Sequence, residues 1–202
     1  MLLRGINGRW CVVLYPLPTF HSSLFTINYM VTKFPSESIT VMTEMVMPND
    51  TNTLNNLMGG NLMRWMDIAA GICSRRHSGC VCVTASVDSV AFHNPIRLGE
   101  IVTITAKVTR VFNTSMEIHI VVHAEGINPG TRRRCNEAFF TFVGLDEWDN
   151  KLSIPKIEPQ TDEEKALYAS AQRRRDMRLI LAGRMKPNQS EELKAIFTNP
   201  NA

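Results

Sequence analysis

Apolar and polar positions alternate in twos from Ile39 to Met47, and this period predicts a strand. Residues 48–56 break the pattern with Pro48, Asn49, Asp50, Asn52, Asn55 and Asn56, residue types that favour turns. At Gly59-Gly60 the period becomes helical and holds to about Ser74. Leu62, Met63, Trp65, Met66, Ile68, Ala69, Ala70, Ile72 and Cys73 cover nearly the whole circumference of that helix, as in a buried helix. Four strand-like runs follow, at about 80–92, 100–112, 115–125 and 133–145. Residues 101–109 and 117–123 alternate best, with β-branched side chains where strands favour them. Turn formers at Asn94-Pro95, Leu98-Gly99, Phe112-Asn113 and Asn128-Pro129-Gly130 separate the runs. Beyond Asp162 the chain is strongly charged and reads as two helices, 163–181 and 190–197.

A helix that is apolar all round has to be wrapped, and an antiparallel sheet of five strands curled around it does so. The expected class is α+β. The implied units are an N-terminal extension (1–38), a single domain (39–150) and a charged helical tail (151–202).

Composition narrows the partners. Hydrophobic residues make up 44% and charged residues 20%, enough for a sizeable core, which excludes a disordered chain. A formal net charge of +3 is too small to argue for nucleic acid. No apolar run reaches the roughly 18 residues that span a bilayer, so no membrane partner is expected. The five cysteines, Cys11, Cys73, Cys80, Cys82 and Cys135, contain no CxxC pair and are odd in number. They read as free thiols in a reducing compartment, hence a cytoplasmic protein without a disulfide framework or zinc site. Within 1–38 the apolar stretch from Trp10 to Leu17 is interrupted by Pro16 and lacks a small-residue cleavage site. It reads as a poorly ordered extension, not a signal peptide. Met30 and Met42 are alternative starts.

Asp67 is the most informative residue: a carboxylate in mid-helix among apolar neighbours is costly unless paired or used. The bland reading is an ion pair with Arg64, one turn back. The chemical reading rests on a thin polar stripe of Asn61, Arg64 and Asp67 that starts at Gly59-Gly60. Glycines at a helix start let backbone N–H groups approach a ligand, and a thioester carbonyl could be held there as its charge develops. Asp67 lies about 11 Å of helix rise beyond them, a long reach that points to sites shared between two subunits. Asn55 and Asn56 could orient a water, although turn chemistry also accounts for them. His77, His93, His119 and His123 show no metal-type spacing and read as solvent-facing. Neither a G-x-S-x-G elbow nor a phosphate-binding glycine loop occurs in the sequence. Arg173, Arg174, Arg175 and Arg178 form a basic cluster, either a solvated face or a phosphate contact.

Several motifs in unbroken order resemble those of the bacterial and brain-type acyl-CoA hydrolases. They are Met47-Pro-Asn-Asp-Thr-Asn52 with Gly59-Gly60 and Met66-Asp67, Val83-Thr-Ala-Ser-Val-Asp88, Phe92-His93 with Pro95-Ile-Arg-x-Gly99, Asn113-Thr-Ser-Met-Glu-Ile118, and Phe139-Phe-Thr-Phe-Val143. The resemblance implies a hotdog fold with strand order 1-3-4-5-2 and hydrolysis of acyl-CoA to a carboxylic acid and CoA. It implies a homodimer paired through the second strand and assembled into a hexamer. It places the catalytic carboxylate, as general base or nucleophile, on Asp67. The second site residue falls on Asn56 of the opposite subunit, with Asn55 beside it. CoA contacts fall on Ala85, Ser86, Val87, Thr114, Ser115, Met116 and Arg174. No metal and no cofactor is implied beyond the CoA of the substrate. A non-catalytic CoA- or acyl-binding protein is the alternative on the same fold, though a pure binder gains nothing from Asp67. Hotdog dehydratases or hydratases usually want a site histidine, and the helix read to Ser74 has none.

Overall fold

The computed structural model describes residues 5–6, 9–10, 32–128 and 130–190. Five strands, β1 (Thr40–Met45), β2 (Val81–Phe92), β3 (Ile101–Val111), β4 (Ser115–Glu125) and β5 (Arg133–Leu145), form one antiparallel sheet in the order β1-β3-β4-β5-β2. That is the order the hotdog resemblance implies. The long helix α1 (Gly59–Ser78) packs on one face and α2 (Asp162–Leu181) on the other. A further two-residue strand pair joins Gly5–Ile6 to Arg9–Trp10. The rest of the N-terminal extension and the helix expected over 190–197 lie outside the described residues, apart from Ser190 itself.

Alternation builds the core. Val102, Ile104, Ala106 and Val108 of β3, with Met116, Ile118, Ile120 and Val122 of β4 and Ala138, Phe140 and Phe142 of β5, turn inward and are buried. They meet Leu62, Trp65, Met66, Ala69, Ala70 and Cys73, a helical stripe spaced by threes and fours. The helix runs four residues past Ser74. Its last turn holds Arg75, Arg76 and His77, and basic side chains suit the negative end of the dipole. Gly79 closes it in the left-handed conformation (φ 72°), donating its N–H to the Arg75 carbonyl.

Two expectations are corrected. First, α1 is not wrapped on all sides: Arg64, Asp67, Ile68, Ile72 and Arg75 are exposed. The sheet is open and stops at β2, so one helix face lies beyond its cover. The edge strand β2 also exposes Val81, Val83, Val87 and Phe92. Second, the histidines do not all face solvent. His119 is buried, its Nε2 against Glu137 Oε1 and its ring stacked on Phe139 at 4.8 Å. His77 is buried in the last turn of α1, with Nε2 2.9 Å from the Pro155 carbonyl oxygen. The described part of the charged tail contains the expected helix and packs on the domain. α2 begins with a capping box of Thr161 and Glu164 and lies over the outer face of β3 and β4. It is held there by ion pairs Arg174–Glu117 (2.7 Å), Arg178–Asp88 (2.6 Å) and Lys107–Glu164 (3.4 Å). Five consecutive residues of β4, Met116 to Ile120, are therefore buried, from both faces.

Candidate active site

Asp67 stands on the uncovered face of α1, turned toward the edge strand. Its Oδ1 accepts a hydrogen bond from the Thr84 hydroxyl at 2.6 Å. Among the described residues no ion pair joins it to Arg64, so the bland reading fails. Thr84 gives no signal in the sequence, where it is one polar position in an alternating strand. Its direction follows from the ladder: its partner Phe142 is a core residue, so Thr84 lies on the same face of the sheet, the one that meets α1. Thr84 pairs with Phe142 but Ser86 pairs with Thr141, which leaves Ala85 unpaired on β2. Such an irregularity re-aims side chains at a sheet edge. Beyond it, the Ser86 hydroxyl donates to Asp88 at 2.7 Å, and Asp88 accepts from Arg178. Val87 remains exposed.

The start of α1 is open. Its N-cap, Met58, provides no side-chain cap, so the first backbone N–H groups keep no side-chain acceptor there. The two glycines differ. A Cβ on Gly59 would come within 3.2 Å of the Phe92 ring, whereas one on Gly60 would meet nothing within 4 Å. A side chain at Gly59 would thus press on the Phe92 ring, whereas Gly60 borders free space. Asn61 is drawn toward the preceding loop, its Nδ2 3.4 Å from Asp50.

That loop is organised by Asn52, whose Oδ1 accepts the N–H groups of Leu54 (2.9 Å) and Asn56 (3.2 Å). Asn55 takes the left-handed conformation (φ 57°). Asn56 forms an antiparallel bridge with Arg97, and both asparagines line a cavity of about 450 Å³ with Leu54, Pro95 and Leu98. No hydrogen bond joins Asn55 or Asn56 to Asp67 among the described residues. Turn chemistry accounts for Asn55 within one chain.

The expected CoA contacts separate. Thr114 and Ser115 lie in the β3–β4 turn, where Asn113 has φ 93° and the Phe112 N–H donates to the Ser115 carbonyl at 2.7 Å. The Met116 side chain is fully buried in the core, so a ligand contact there is left to its backbone. Arg174 is not a free cation. Its Nε and Nη2 fork onto Glu117 (3.0 and 2.7 Å), its Nη1 donates to Ser170, and its guanidinium lies 3.8 Å from the Phe139 ring centroid. Arg175 covers the Phe112 ring at 5.0 Å, while Arg173 is exposed.

Competing nucleophiles are weak. Burial pushes the Cys73 thiol up to about 12 and the Cys82 thiol to about 11, which leaves almost no thiolate at neutral pH. Burial lowers His77 and His119 below the ordinary histidine value, so both are held neutral. His77 does share α1 with Asp67, but it lies about 15 Å of helix rise further on.

The chain is similar to known proteins in sequence and in fold. The family model described as the thioesterase superfamily matches residues 54–130. An uncharacterised acyl-CoA thioester hydrolase of Bacillus subtilis is 40% identical over 147 residues, covering 73% of this chain and 86% of that protein. The chain belongs to the acyl-CoA hydrolases of the thioesterase superfamily. Mouse acyl-coenzyme A thioesterase 11 is 39% identical over 145 residues, 72% of this chain. The match spans only 24% of the mouse protein, so the chain corresponds to about a quarter of such mammalian relatives. Among solved structures, the acyl-CoA hydrolase of Staphylococcus aureus in complex with butyryl coenzyme A, coenzyme A and coenzyme A disulfide superposes with a TM-score of 0.71 at 33% identity. The superposition covers 82% of this chain and 99% of that one. The same enzyme has been solved with alanine replacing an aspartate, a threonine seventeen residues later, and an asparagine fifteen residues earlier. A hexameric acyl-CoA thioesterase superposes with a TM-score of 0.73 at 35% identity, over 75% of this chain and 97% of that one.

Proposed function

We propose that the chain hydrolyses acyl-CoA thioesters, water and acyl-CoA giving a carboxylic acid and CoA, with Asp67 as the reacting carboxylate. The observation that carries this reading is Asp67 itself. It is exposed on the uncovered face of α1, oriented by Thr84, and free of any described cation. Asp67 either takes a proton from the attacking water or adds to the thioester carbonyl. Backbone N–H groups at Gly59 and Gly60 receive the charge that develops on the carbonyl oxygen. The spacing of the Staphylococcus aureus variants favours the same assignment, since Thr84 lies seventeen residues after Asp67. An asparagine fifteen residues before Asp67 is Asn52, not Asn56. The loop that Asn52 organises therefore offers two candidates, Asn52 and Asn56, for the second site residue.

The site is completed by a second copy of the chain. Ile68 and Ile72 of α1 (41% and 40% exposed) lie uncovered, and the edge strand β2 leaves its outer hydrogen-bonding groups open. Pairing two β2 edges covers both and brings the loop over 52–56 of one subunit to Asp67 of the other. Hexameric relatives favour three such dimers. Among the described residues no helix is long and apolar enough to cross a membrane, and a cytoplasmic location accords with the free thiols.

A turnover panel from acetyl-CoA to palmitoyl-CoA, run beside native mass measurement, tests both parts. Absence of hydrolysis across the panel by a folded oligomer would leave the binding-protein reading in its place. Two substitutions test the geometry. Gly60→Ala is expected to keep or slightly raise stability, since alanine favours helix by up to about 1 kcal/mol. It is expected to cut kcat/KM by about tenfold or more, because the new methyl group enters the space the thioester needs. Thr84→Val removes the hydrogen bond that orients Asp67. Such charge-assisted bonds contribute about 1.5–3 kcal/mol, so kcat is expected to fall about ten- to a hundredfold with KM little changed.

A further inference from the structure

Arg133, the first residue of β5, and Glu100, just before β3, form a forked pair that no step of the proposed chemistry uses. Arg133 Nη1 donates to Glu100 Oε1 at 2.9 Å, and Nη2 donates to Oε2 at 2.8 Å. Nη2 also donates to the Pro95 carbonyl at 2.8 Å, and Glu100 Oε2 accepts the Arg97 N–H at 2.8 Å. The pair therefore grips the loop over 95–99 at two points. A planar guanidinium matches a carboxylate in this two-bond geometry, and the side chains are only 34% and 14% exposed. The Arg133 bonds hold the Glu100 carboxyl below the usual carboxylate range, so the fork is intact at neutral pH. The backbone is fixed as well. The Glu100 carbonyl accepts the Val46 N–H and the Gly99 N–H donates to the Val46 carbonyl, both at 2.9 Å.

What the loop over 95–99 carries is the loop over 52–57. The Leu57 N–H donates to the Ile96 carbonyl at 2.7 Å, the Leu98 N–H donates to the Asn55 carbonyl at 3.0 Å, and Asn56 bridges Arg97. Ile96 is buried in the core, whereas Asn55 and Asn56 line the cavity of about 450 Å³. Between Thr51 and Leu57 the chain has neither helix nor strand of its own. Asn52 orders this loop internally, and the bonds to residues 96–98 tie it to the domain. No hydrogen bond joins Arg133 or Glu100 to Asp67, Asn52 or Asn56 among the described residues, so the pair acts at one remove.

We propose that Arg133 and Glu100 are positioning residues for hydrolysis: through the loop over 95–99 they set the 52–57 loop that completes the Asp67 site of the other subunit. This rests on the thioesterase reading and on its shared site. An amide that orients a water or a carbonyl depends on its placement, and a shift of about 1 Å costs up to about a hundredfold in rate.

Butyryl-CoA kinetics and thermal melting of the full chain test this in wild type, Arg133→Met, Arg133→Lys and Glu100→Gln. Arg133→Met keeps the aliphatic stem and loses the fork. Its kcat is expected to fall about ten- to a hundredfold, with KM changed by less than about threefold. Arg133→Lys restores the charge as a point contact, and Glu100→Gln keeps an acceptor for the Arg97 N–H, so both should lie between. These two carry the test should Arg133→Met not fold. Complementation then separates positioning from a merely structural role. Arg133→Met and Asp67→Asn chains are co-expressed with different affinity tags and purified through both. They are expected to recover about a quarter of wild-type turnover or more, because every second dimer formed by random pairing holds one complete site of its two. Turnover no higher than the mean of the two single variants confines the pair to its own subunit and overturns the proposal. Wild-type kcat in all three single variants, with only the melting temperature lowered, overturns it too. Either result leaves the thioesterase reading standing, whereas absence of hydrolysis by folded wild type ends both.

Discussion

Asp67→Asn is expected to lower kcat for acyl-CoA hydrolysis by about 10²–10⁴-fold, the usual contribution of a positioned acid–base group. Melting temperature and oligomeric mass should stay at their wild-type values. The reason lies in how little of the fold depends on this carboxylate. It is exposed, forms no ion pair among the described residues, and takes part in one described hydrogen bond, from the Thr84 hydroxyl. Asparagine keeps the shape and can accept the same bond through its amide oxygen, so only the negative charge is lost. A structural role would give the opposite result, a fall in stability with turnover intact. Wild-type turnover in the Asn variant would end the assignment of Asp67 as the reacting group. Thr84→Val, which leaves the charge and removes the orientation, should lie between wild type and Asp67→Asn.

The sheet was legible in the sequence because alternation and burial coincide there. The runs read at 115–125 and 133–145 are β4 and β5, residue for residue. Asp67 stood out as a candidate because a carboxylate among apolar neighbours breaks its own pattern. What escaped has one physical origin: a residue's period says which face it lies on, not what covers that face. Ile68 and Ile72 look identical to core residues whether a sheet or a second subunit buries them. Glu117 and His119 occupy the outward positions of β4 and read as solvated, until α2, more than forty residues later, closes over them. Arg174 reads as surface charge for the same reason, its partner lying 57 residues away. Thr84 gains its role only from its partner across space, Asp67, seventeen residues earlier on α1, which no single-strand pattern contains.

Arg174→Ala is expected to destabilise the fold by about 3–5 kcal/mol, far more than Gly60→Ala or Asp67→Asn. Glu117 is 1% exposed and its carboxylate sits beneath α2, with Arg174 as its described cation and the Thr109 hydroxyl as a further donor at 2.7 Å. Removing the guanidinium strands a buried charge, which costs more than the pair itself contributes. It also removes the flat cation over Phe139 and the donors to Ser170 and the Leu167 carbonyl, so α2 loses its seat on the sheet. For a chain of this size the melting temperature should fall by about 10 °C. Restoring neutrality separates charge from packing: Glu117→Leu with Arg174→Met should recover most of the loss, because an apolar pair of similar volume needs no compensation. The family resemblance makes Arg174 a CoA contact, and that role has a different signature, a raised KM for acyl-CoA with stability unchanged. The fork onto Glu117 leads us to expect the reverse, a thermal shift in the single variant and its rescue in the double. An unchanged melting temperature together with a KM defect confined to nucleotide-bearing substrates would return Arg174 to the substrate site.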